Sequence, residues 1–227
     1  MNRKLIHRWD LSPAKAVAVQ QQLAPYVIRE NQFGPVSTVA GVDVKIQGEL
    51  ITAAIVLLSY PELEAITHAV ASQRVNFPYV PGLRGFREGP VILAALAELS
   101  LRPDLLIVAG HGVAHPRRLG LASHLGLLVD LPAIGCAKSR LCGEYDEPGI
   151  ERGSYTPLFE QEETIGAVVR SRPGVKPIFV SIGHRVDLPT GIGYVLDSCR
   201  AYRLPEPIRW AHRLAGESGH FRAVNPN

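Results

Sequence analysis

The chain has 227 residues, of which 46% are hydrophobic and 20% charged, a composition that describes an ordinary soluble globular protein. Its formal net charge of +3 permits a polyanionic partner without requiring one. No apolar run approaches the roughly 18 residues of a membrane-spanning helix, and the amino terminus lacks the apolar core of a secretion signal. From these features we expect a protein that does not span a membrane.

Cysteine usage indicates the cellular compartment. The three cysteines, Cys136, Cys142 and Cys199, are an odd number at spacings that match no zinc or redox motif. Free thiols of this kind are typical of a reducing environment, so we expect a cytoplasmic protein. Nothing in the sequence indicates an obligate dimer, and a monomer is therefore expected.

The first part of the chain predicts a helix followed by three antiparallel strands. Ser12 and Pro13 suit the cap and first position of a helix, which continues through an apolar pattern to Ile28. Short polar turns separate the three apolar runs that follow, which favours an antiparallel meander. The strands are predicted at residues 36–46, 50–60 and 63–75.

The middle of the chain predicts a helix and then a strand–loop–helix–strand unit. Pro90 suits the first turn of a helix that covers residues 91–100. Buried strands follow at residues 104–109 and 132–137, separated by the segment GHGVAHPRR and a helix that begins near Arg118. Two parallel strands joined in this way place the loop at the carboxyl edge of the sheet, where open α/β sheets bind ligands.

The last third completes the predicted fold. A strand pair is expected within residues 155–171, a buried strand at 178–182, a helix from Asp187 to Tyr202, and a final helix from Pro205. The last nine residues are expected to form a loose tail. Since no repeat or linker divides the chain, we expect one domain over residues 1–227. Antiparallel strands that continue into parallel ones, flanked by helices, predict an α/β ribonuclease H-like fold with a mixed central sheet.

The segment GHGVAHPRR combines flexible, titratable and cationic residues. Gly110 and Gly112 flank His111, so the backbone there can approach a ligand closely or adopt a positive φ. Arg117 and Arg118 lie at or just before a helix start, where backbone N–H groups favour anions. Two adjacent arginines beside such donors suit a phosphate better than a carboxylate. The alternative is a solvated basic turn.

Three side chains elsewhere also suggest chemistry. Asp43 lies in an apolar strand, where an unpaired carboxylate costs several kcal/mol, so it must be paired, hydrogen-bonded or metal-bound. A salt bridge to Lys45 is the alternative to a metal or catalytic role. Glu88 lies at a predicted helix start, a position that the helix dipole alone would explain. Lys138 ends a buried strand and could steer a phosphate or a water nucleophile, or be a solvated strand end.

An aromatic side chain in the loop before Glu88 is held between prolines. Tyr79 lies between Pro78 and Pro81, which stiffen the backbone on both sides. A rigid, exposed aromatic ring suits stacking on a nucleobase or insertion into a base stack. The alternative is a tyrosine folded back on the protein.

Several segments together resemble the endonuclease V family of deaminated-base repair nucleases, over most of the chain from Ser12 to His212. The resemblance implies a ribonuclease H-like fold, in agreement with the predicted strand order. It also implies hydrolysis of DNA at the second phosphodiester bond 3′ to deoxyinosine or other deaminated bases, with Mg²⁺, or Mn²⁺ as a substitute. The segments are VAGVDVKI, PYVPGLRGFREGP, GHGVAHPRRLGLASHLGLLVD, IGCAKSRLCG, IGHRV and YRLPEPIRWAH.

The resemblance also implies roles for individual residues. Asp43 and Glu88 would be metal ligands, and Tyr79 would fill the gap left by a flipped base. Lys138 would help to hold the attacking water, and His212 would lie near the metal. A lesion pocket would be lined, partly by main-chain groups, by Gly82, Arg84, Gly110, His115 and Leu121.

One motif departs from the family pattern. A strand that ends VDGHG in the family ends VAGHG here, so Ala109 stands where the resemblance implies a metal-binding aspartate. A methyl group cannot ligate a metal ion, and the loss of a charged oxygen ligand should weaken binding and misplace the ion. We therefore expect a catalytically impaired variant that still recognises its lesion.

The origin of Ala109 and the function both have alternatives. An engineered change from Asp to Ala would leave the other motifs intact, as they are here, and is favoured over a natural non-cleaving relative. A natural relative should also have drifted at Glu88, Lys138 or Tyr79. The functional alternatives are a non-cleaving inosine-lesion binding protein and an endoribonuclease that acts on inosine-containing RNA, which shares every motif.

Overall fold

The computed structural model describes residues 7–217, in which one mixed sheet of eight strands has helices packed on both faces. Residues 219–227, predicted to be a loose tail, lie outside this range. None of the helices in the described range is long and apolar enough to cross a bilayer. The strands are β1 (Thr38–Gln47), β2 (Leu50–Ser59), β3 (Ala65–Arg74), β4 (Leu105–Ala109), β5 (Ala133–Ala137), β6 (Tyr155–Glu160), β7 (Glu163–Val169) and β8 (Ile178–His184). The α-helices are α1 (Pro13–Leu23), α2 (Arg84–Glu98), α3 (Leu121–Val129), α4 (Leu188–Asp197) and α5 (Glu206–Gly216).

The strand order across the sheet is β3-β2-β1-β4-β5-β8-β7-β6. The first three strands form the predicted antiparallel meander, and β4 and β5 continue the sheet parallel to β1. This order confirms the predicted ribonuclease H-like mixed sheet. Beyond β5 the strands are antiparallel to their neighbours, and β6 and β7 are the predicted strand pair. The carboxyl ends of β1, β4 and β5 therefore meet at one edge.

The central strands are buried on both faces, which explains their nearly continuous apolar sequences. Val91 of α2 and Leu125 of α3 pack on one face. Ile192 of α4 and Ile208 of α5 pack on the other. Burial of each such side chain contributes roughly 1.5–3 kcal/mol. The helices on the two faces thus hold the ends of the strands in place. They thereby also set the positions of the residues that follow β4 and β5.

The loop after β4 is seated on β8. The Gly112 N–H donates to Ser181 Oγ at 2.8 Å, and the Val113 N–H donates to the Ile182 carbonyl at 2.7 Å. A Cβ on Gly112 would lie 1.8 Å from that carbonyl oxygen, so only glycine fits there. Neither Gly110 nor Gly112 has a positive φ. The sequence predicted that the backbone at Gly112 approaches a ligand closely. In the structure it approaches strand β8 instead.

The predicted start of α2 is wrong. The helix begins at Arg84, so Pro90 lies inside it and Glu88 is in its second turn. Proline is normally unfavourable inside a helix, because its nitrogen cannot donate a hydrogen bond to the preceding turn. Here the burial of Phe86 and a salt bridge between Arg84 and Glu88 stabilise the extra turn before the proline.

Three other helix boundaries differ from the prediction. α1 ends at Leu23 rather than Ile28, because Pro25 cannot donate a helical hydrogen bond. α3 begins at Leu121, since Arg118 has a φ of 54° that a right-handed helix cannot include. α4 ends well before Tyr202.

Substitution of Gly112 by Ala should destabilise the protein because the added methyl would overlap the Ile182 carbonyl. We expect the free energy of unfolding to fall by about 3 kcal/mol, measured by urea denaturation. The matched control is Gly34→Ala, where an added Cβ meets no atom within 4 Å. That variant should stay within about 0.5 kcal/mol of the parent. Equal losses of unfolding free energy in the two variants would contradict the close contact between Gly112 and Ile182.

Candidate functional site

The carboxyl edge of the parallel strands opens into a cavity of about 250 Å³, here called the sheet-edge cavity. Asp43 lies on β1, Ala109 ends β4, Lys138 follows β5, and His212 projects from α5. Four of the five residues predicted for catalysis therefore line one cavity. Gly110, predicted for the lesion pocket, lines this cavity as well.

Asp43 is paired with His212 in the described structure. Its Oδ2 accepts from His212 Nδ1 at 2.7 Å, and its Oδ1 accepts from the Val44 N–H at 2.8 Å. The Asp43 side chain is 11% exposed, so these bonds offset much of the cost of burying its charge. Gly41 allows this arrangement, because a Cβ there would lie 2.0 Å from the Pro207 carbonyl oxygen at the start of α5.

Glu88, the fifth predicted residue, does not line this cavity and is paired with Arg84. Its two oxygens accept from Arg84 Nε and Nη2, both at 2.8 Å, and its side chain is 7% exposed. Burial alone would lower the pKa of Arg84, but the Glu88 carboxylate offsets this and the pKa is raised. The guanidinium also comes close to Gly110, where a Cβ would lie 3.5 Å from Nη1. Arg84 is therefore positively charged and forms an ion pair with Glu88.

These side chains do not fit the divalent metal site that the resemblance implies. Both oxygens of Asp43 and both of Glu88 already accept hydrogen bonds from the protein, and Ala109 offers no oxygen. Across residues 7–217 no cluster of three or more His, Cys, Asp or Glu side chains could hold a metal ion. A site for a hard divalent cation needs more free oxygen ligands than this.

A second cavity of about 210 Å³, here called the loop cavity, adjoins the first. The two cavities share Arg84, His111 and Ser139 as a common wall. Burial lowers the pKa of His111 to about 4, with Arg84 as a further cause, so this shared histidine is neutral at neutral pH. The predicted lesion-pocket residues that line the loop cavity are Gly82, Arg84, His115 and Leu121.

The Gly82 carbonyl organises the floor of the loop cavity. It accepts from Gln20 Nε2 at 2.9 Å, from His115 Nε2 at 2.9 Å and from Arg117 Nη2 at 3.0 Å. His115 Nδ1 accepts from the Arg117 N–H, so the ring is neutral with its proton on Nε2. Gln20 was missed by the sequence prediction; its only signal is a polar residue on a buried helix face.

Tyr79 stands at the mouth of the loop cavity with 72% of its surface exposed, and Pro81 lines the same wall. Its main neighbour is the Arg87 guanidinium, 5.6 Å from the ring centroid. The alternative of a tyrosine folded back on the protein is therefore wrong. The ring is free to contact a large ligand outside the cavity.

The two arginines of the loop have partners within the protein and do not form a solvated basic turn. Arg118 bridges the end of the β6–β7 hairpin through ion pairs with Glu160 and Glu163, and its side chain is 20% exposed. Arg117 Nε donates to Gln20. Since two carboxylates neutralise Arg118, the geometry argues against its predicted contact with a DNA phosphate. That contact, like the one predicted for Arg117, stays a prediction.

The family model for endonuclease V matches residues 21–213. The chain belongs to the endonuclease V family. Endonuclease V of Roseiflexus sp. (strain RS-1) is 51% identical over 215 residues, which cover 95% of this chain and 97% of the relative. Endonuclease V proteins are DNA repair nucleases that generally use a divalent metal.

Solved structures support the same assignment. Endonuclease V from Streptomyces avermitilis is 44% identical with a TM-score of 0.88, covering 92% of this chain and 93% of that one. Endonuclease V from Ciona intestinalis is 29% identical with a TM-score of 0.79, covering 91% and 98%. That structure is a complex with a 23mer DNA that contains an inosine followed by a ribo-adenosine. The partners of the family thus include inosine-containing DNA.

The stability of this chain should fall as the pH is lowered towards 4, because a buried neutral histidine resists protonation. Burial lowers the pKa of His115 to about 4 from 6.5. Between these values the unfolded chain binds more protons, so the contribution is complete above pH 6.5 and is lost as the pH falls towards 4. For His115 alone, the loss at pH 5 is about 1–2 kcal/mol.

Urea denaturation at pH 7 and pH 5 would measure this effect. His115→Asn keeps an acceptor for the Arg117 N–H but removes the titration, so its loss of stability between the two pH values should be smaller than that of the parent. An equal pH dependence in the two proteins would show that His115 does not contribute.

Proposed function

We propose that this chain recognises deoxyinosine, and related deaminated bases, in DNA, and that it is a catalytically impaired form of the family's endonuclease. The observation that carries the proposal is the pair of adjoining cavities with a common wall. A flipped hypoxanthine would enter the loop cavity, and the nearby phosphodiester would then lie across the sheet-edge cavity. A damaged base costs less to extrude than a normal one, which contributes to selectivity.

The loop cavity offers the groups that such a base requires. Gly82 and Leu121 would contact the flipped base from within the loop cavity, partly through main-chain atoms, and Gly110 would contact it from the adjoining sheet-edge cavity. The neutral His115 fixes the Gly82 carbonyl. Tyr79, held by its flanking prolines, would enter the gap that the base leaves in the stack. Its 72% exposure supports this role, because an inserted ring must be free of the protein surface.

The family reaction would be hydrolysis of the second phosphodiester bond 3′ to the lesion, with Mg²⁺, or Mn²⁺ as a substitute. In that reaction Asp43, Glu88 and an acidic residue at position 109 would hold the ion. Lys138 would hold the attacking water, and His212 would orient Asp43. Ala109 and the Arg84–Glu88 ion pair do not fit this ligand set, so we propose that this chain binds its lesion and cleaves poorly. We further propose that it acts as a cytoplasmic monomer of one domain.

The absence of a carboxylate at residue 109 also favours a second candidate, a lesion-binding protein that does not cleave at all. An activity on inosine-containing RNA is a third, supported by the ribo-adenosine in the Ciona intestinalis complex. The three candidates predict different outcomes with three substrates: inosine in DNA, inosine in RNA, and a DNA strand with one ribonucleotide after the inosine.

Ala109→Asp should restore cleavage of an inosine-containing DNA duplex in the presence of Mg²⁺. It supplies the missing carboxylate, and with it the ion could compete with Arg84 and His212 for the oxygens of Glu88 and Asp43. We expect an increase in the nicking rate of at least about 100-fold over the parent chain, measured by gel electrophoresis of labelled strands. Ala109→Asn is the matched control and should restore much less, since an amide is a weaker ligand for a hard cation. Equal binding without nicking in all three proteins would support the non-cleaving alternative.

Tyr79→Ala should weaken binding of inosine-containing DNA by about 1–3 kcal/mol, because the stacking surface is lost. Tyr79→Phe keeps the ring and should bind nearly as well as the parent chain. Fluorescence anisotropy with inosine and adenine duplexes would measure both. If Tyr79→Ala bound as tightly as the parent, the wedge role would be wrong.

A further inference from the structure

A third concave surface, here called the basic groove, adjoins the sheet-edge cavity. Its volume is about 520 Å³, and it lies between the end of β5 and the loop that connects β7 to β8. Lys138 lines both this groove and the sheet-edge cavity, so the two adjoin at this residue. The charged side chains that line the groove are Lys138, Arg170, Lys176, Arg203 and Glu147. Four cations thus face one carboxylate.

Two of the cations build the groove from within. Arg203 Nη2 donates to the carbonyls of Lys138 at 2.7 Å and Pro177 at 2.6 Å, so it ties the end of β5 to the start of β8. Arg170 donates to the Val175 and Gly149 carbonyls and pairs with Glu147. These bonds fix the two walls.

The other two cations are exposed. Lys138 and Lys176 stand on the two walls that Arg203 joins, and within residues 7–217 no carboxylate lies within ion-pair distance of either ammonium group. Gly174, two residues before Lys176, has a φ of 71°, and the loop turns there beside the groove. A pair of unneutralised ammonium groups on a rigid concave surface suits a polyanion.

The three concave surfaces follow one another in a fixed order. The loop cavity shares a wall with the sheet-edge cavity, and the sheet-edge cavity shares Lys138 with the basic groove. If the base occupies the loop cavity and the cleavage position lies in the sheet-edge cavity, a strand that continues in the same direction reaches the basic groove. The reaction lies 3′ to the lesion, so this continuation is the 3′ part of the strand.

We propose that the basic groove binds the backbone phosphates of the damaged DNA strand on the 3′ side of the cleavage position, with Lys176 as the main contact beyond Lys138. This inference rests on the proposed function, which sets the direction of the strand. Phosphate contacts of this kind carry no sequence information; they hold the strand in register. The groove would thereby keep the strand extended across the sheet-edge cavity.

The test combines a protein variant with a change in the DNA. Duplexes carry one deoxyinosine and a constant 5′ side, and their 3′ side either ends just after the cleavage position or extends for a further helical turn. The parent chain should bind the extended duplex more tightly. Lys176→Gln should lose about five- to tenfold in affinity for the extended duplex at 0.1 M salt, and nothing for the short one. The slope of log K against log salt for the extended duplex should fall by about one.

The matched control is Arg102→Gln, which removes one positive charge just before β4, at the opposite end of the sheet. It should leave the preference for the extended duplex unchanged. If Lys176→Gln weakens both duplexes equally, or neither, while the preference for inosine over adenine persists, the groove inference alone is wrong. If the parent shows no preference for inosine with either duplex, the proposed function is wrong and this inference falls with it.

Discussion

The site depends on the way the loop after β4 is seated on β8. Backbone N–H groups of Gly112 and Val113 bond to Ser181 and Ile182, and the absence of a side chain at residue 112 lets the two backbones meet. A loop that crosses a buried sheet must satisfy its polar backbone groups in this way. Once the loop is seated, His111 faces both cavities and His115 reaches the Gly82 carbonyl. The position of the loop thus determines the shape of both cavities.

The carboxylates of the site have hydrogen-bond partners within the chain itself. Asp43 is paired with His212, and Glu88 with Arg84, so neither carboxylate depends on an ion for its stability. The Arg84–Glu88 ion pair is costly to break on one side, because the remaining buried charge loses its partner. A polyanion that approaches this edge of the sheet meets Lys138 without first having to displace free carboxylates.

The sequence predicted the sheet well because its strands are apolar and separated by short polar turns, and these are local signals. It predicted Asp43, Ala109, Lys138 and His212 as one group through family resemblance. The strand order and the packing of α5 on β1 bring them to one cavity. The start of α2 was missed because burial of Phe86 outweighs the local effect of Pro90.

Other features of the site depend on residues that are distant in sequence. The carboxylates that neutralise Arg118 lie more than 40 positions further along the chain, on a hairpin whose own sequence gives no sign of them as partners. Gln20 is separated from Gly82 by 62 positions. Local patterns of hydrophobicity and turn residues carry no information about such pairings, since these arise only after the sheet and its helices have packed.

The ion pairs of Arg118 also constrain the β6–β7 hairpin. Glu160 and Glu163 face each other across the turn formed by residues 161 and 162, where two negative charges would otherwise repel. Gln161 adopts a φ of 58°, so the turn is already tight. An insertion there would separate the two carboxylates and release the arginine that joins the hairpin to the loop after β4. The length of a surface turn far from the cavities in sequence is therefore coupled to the shape of the pocket, and this turn should tolerate changes of residue better than changes of length.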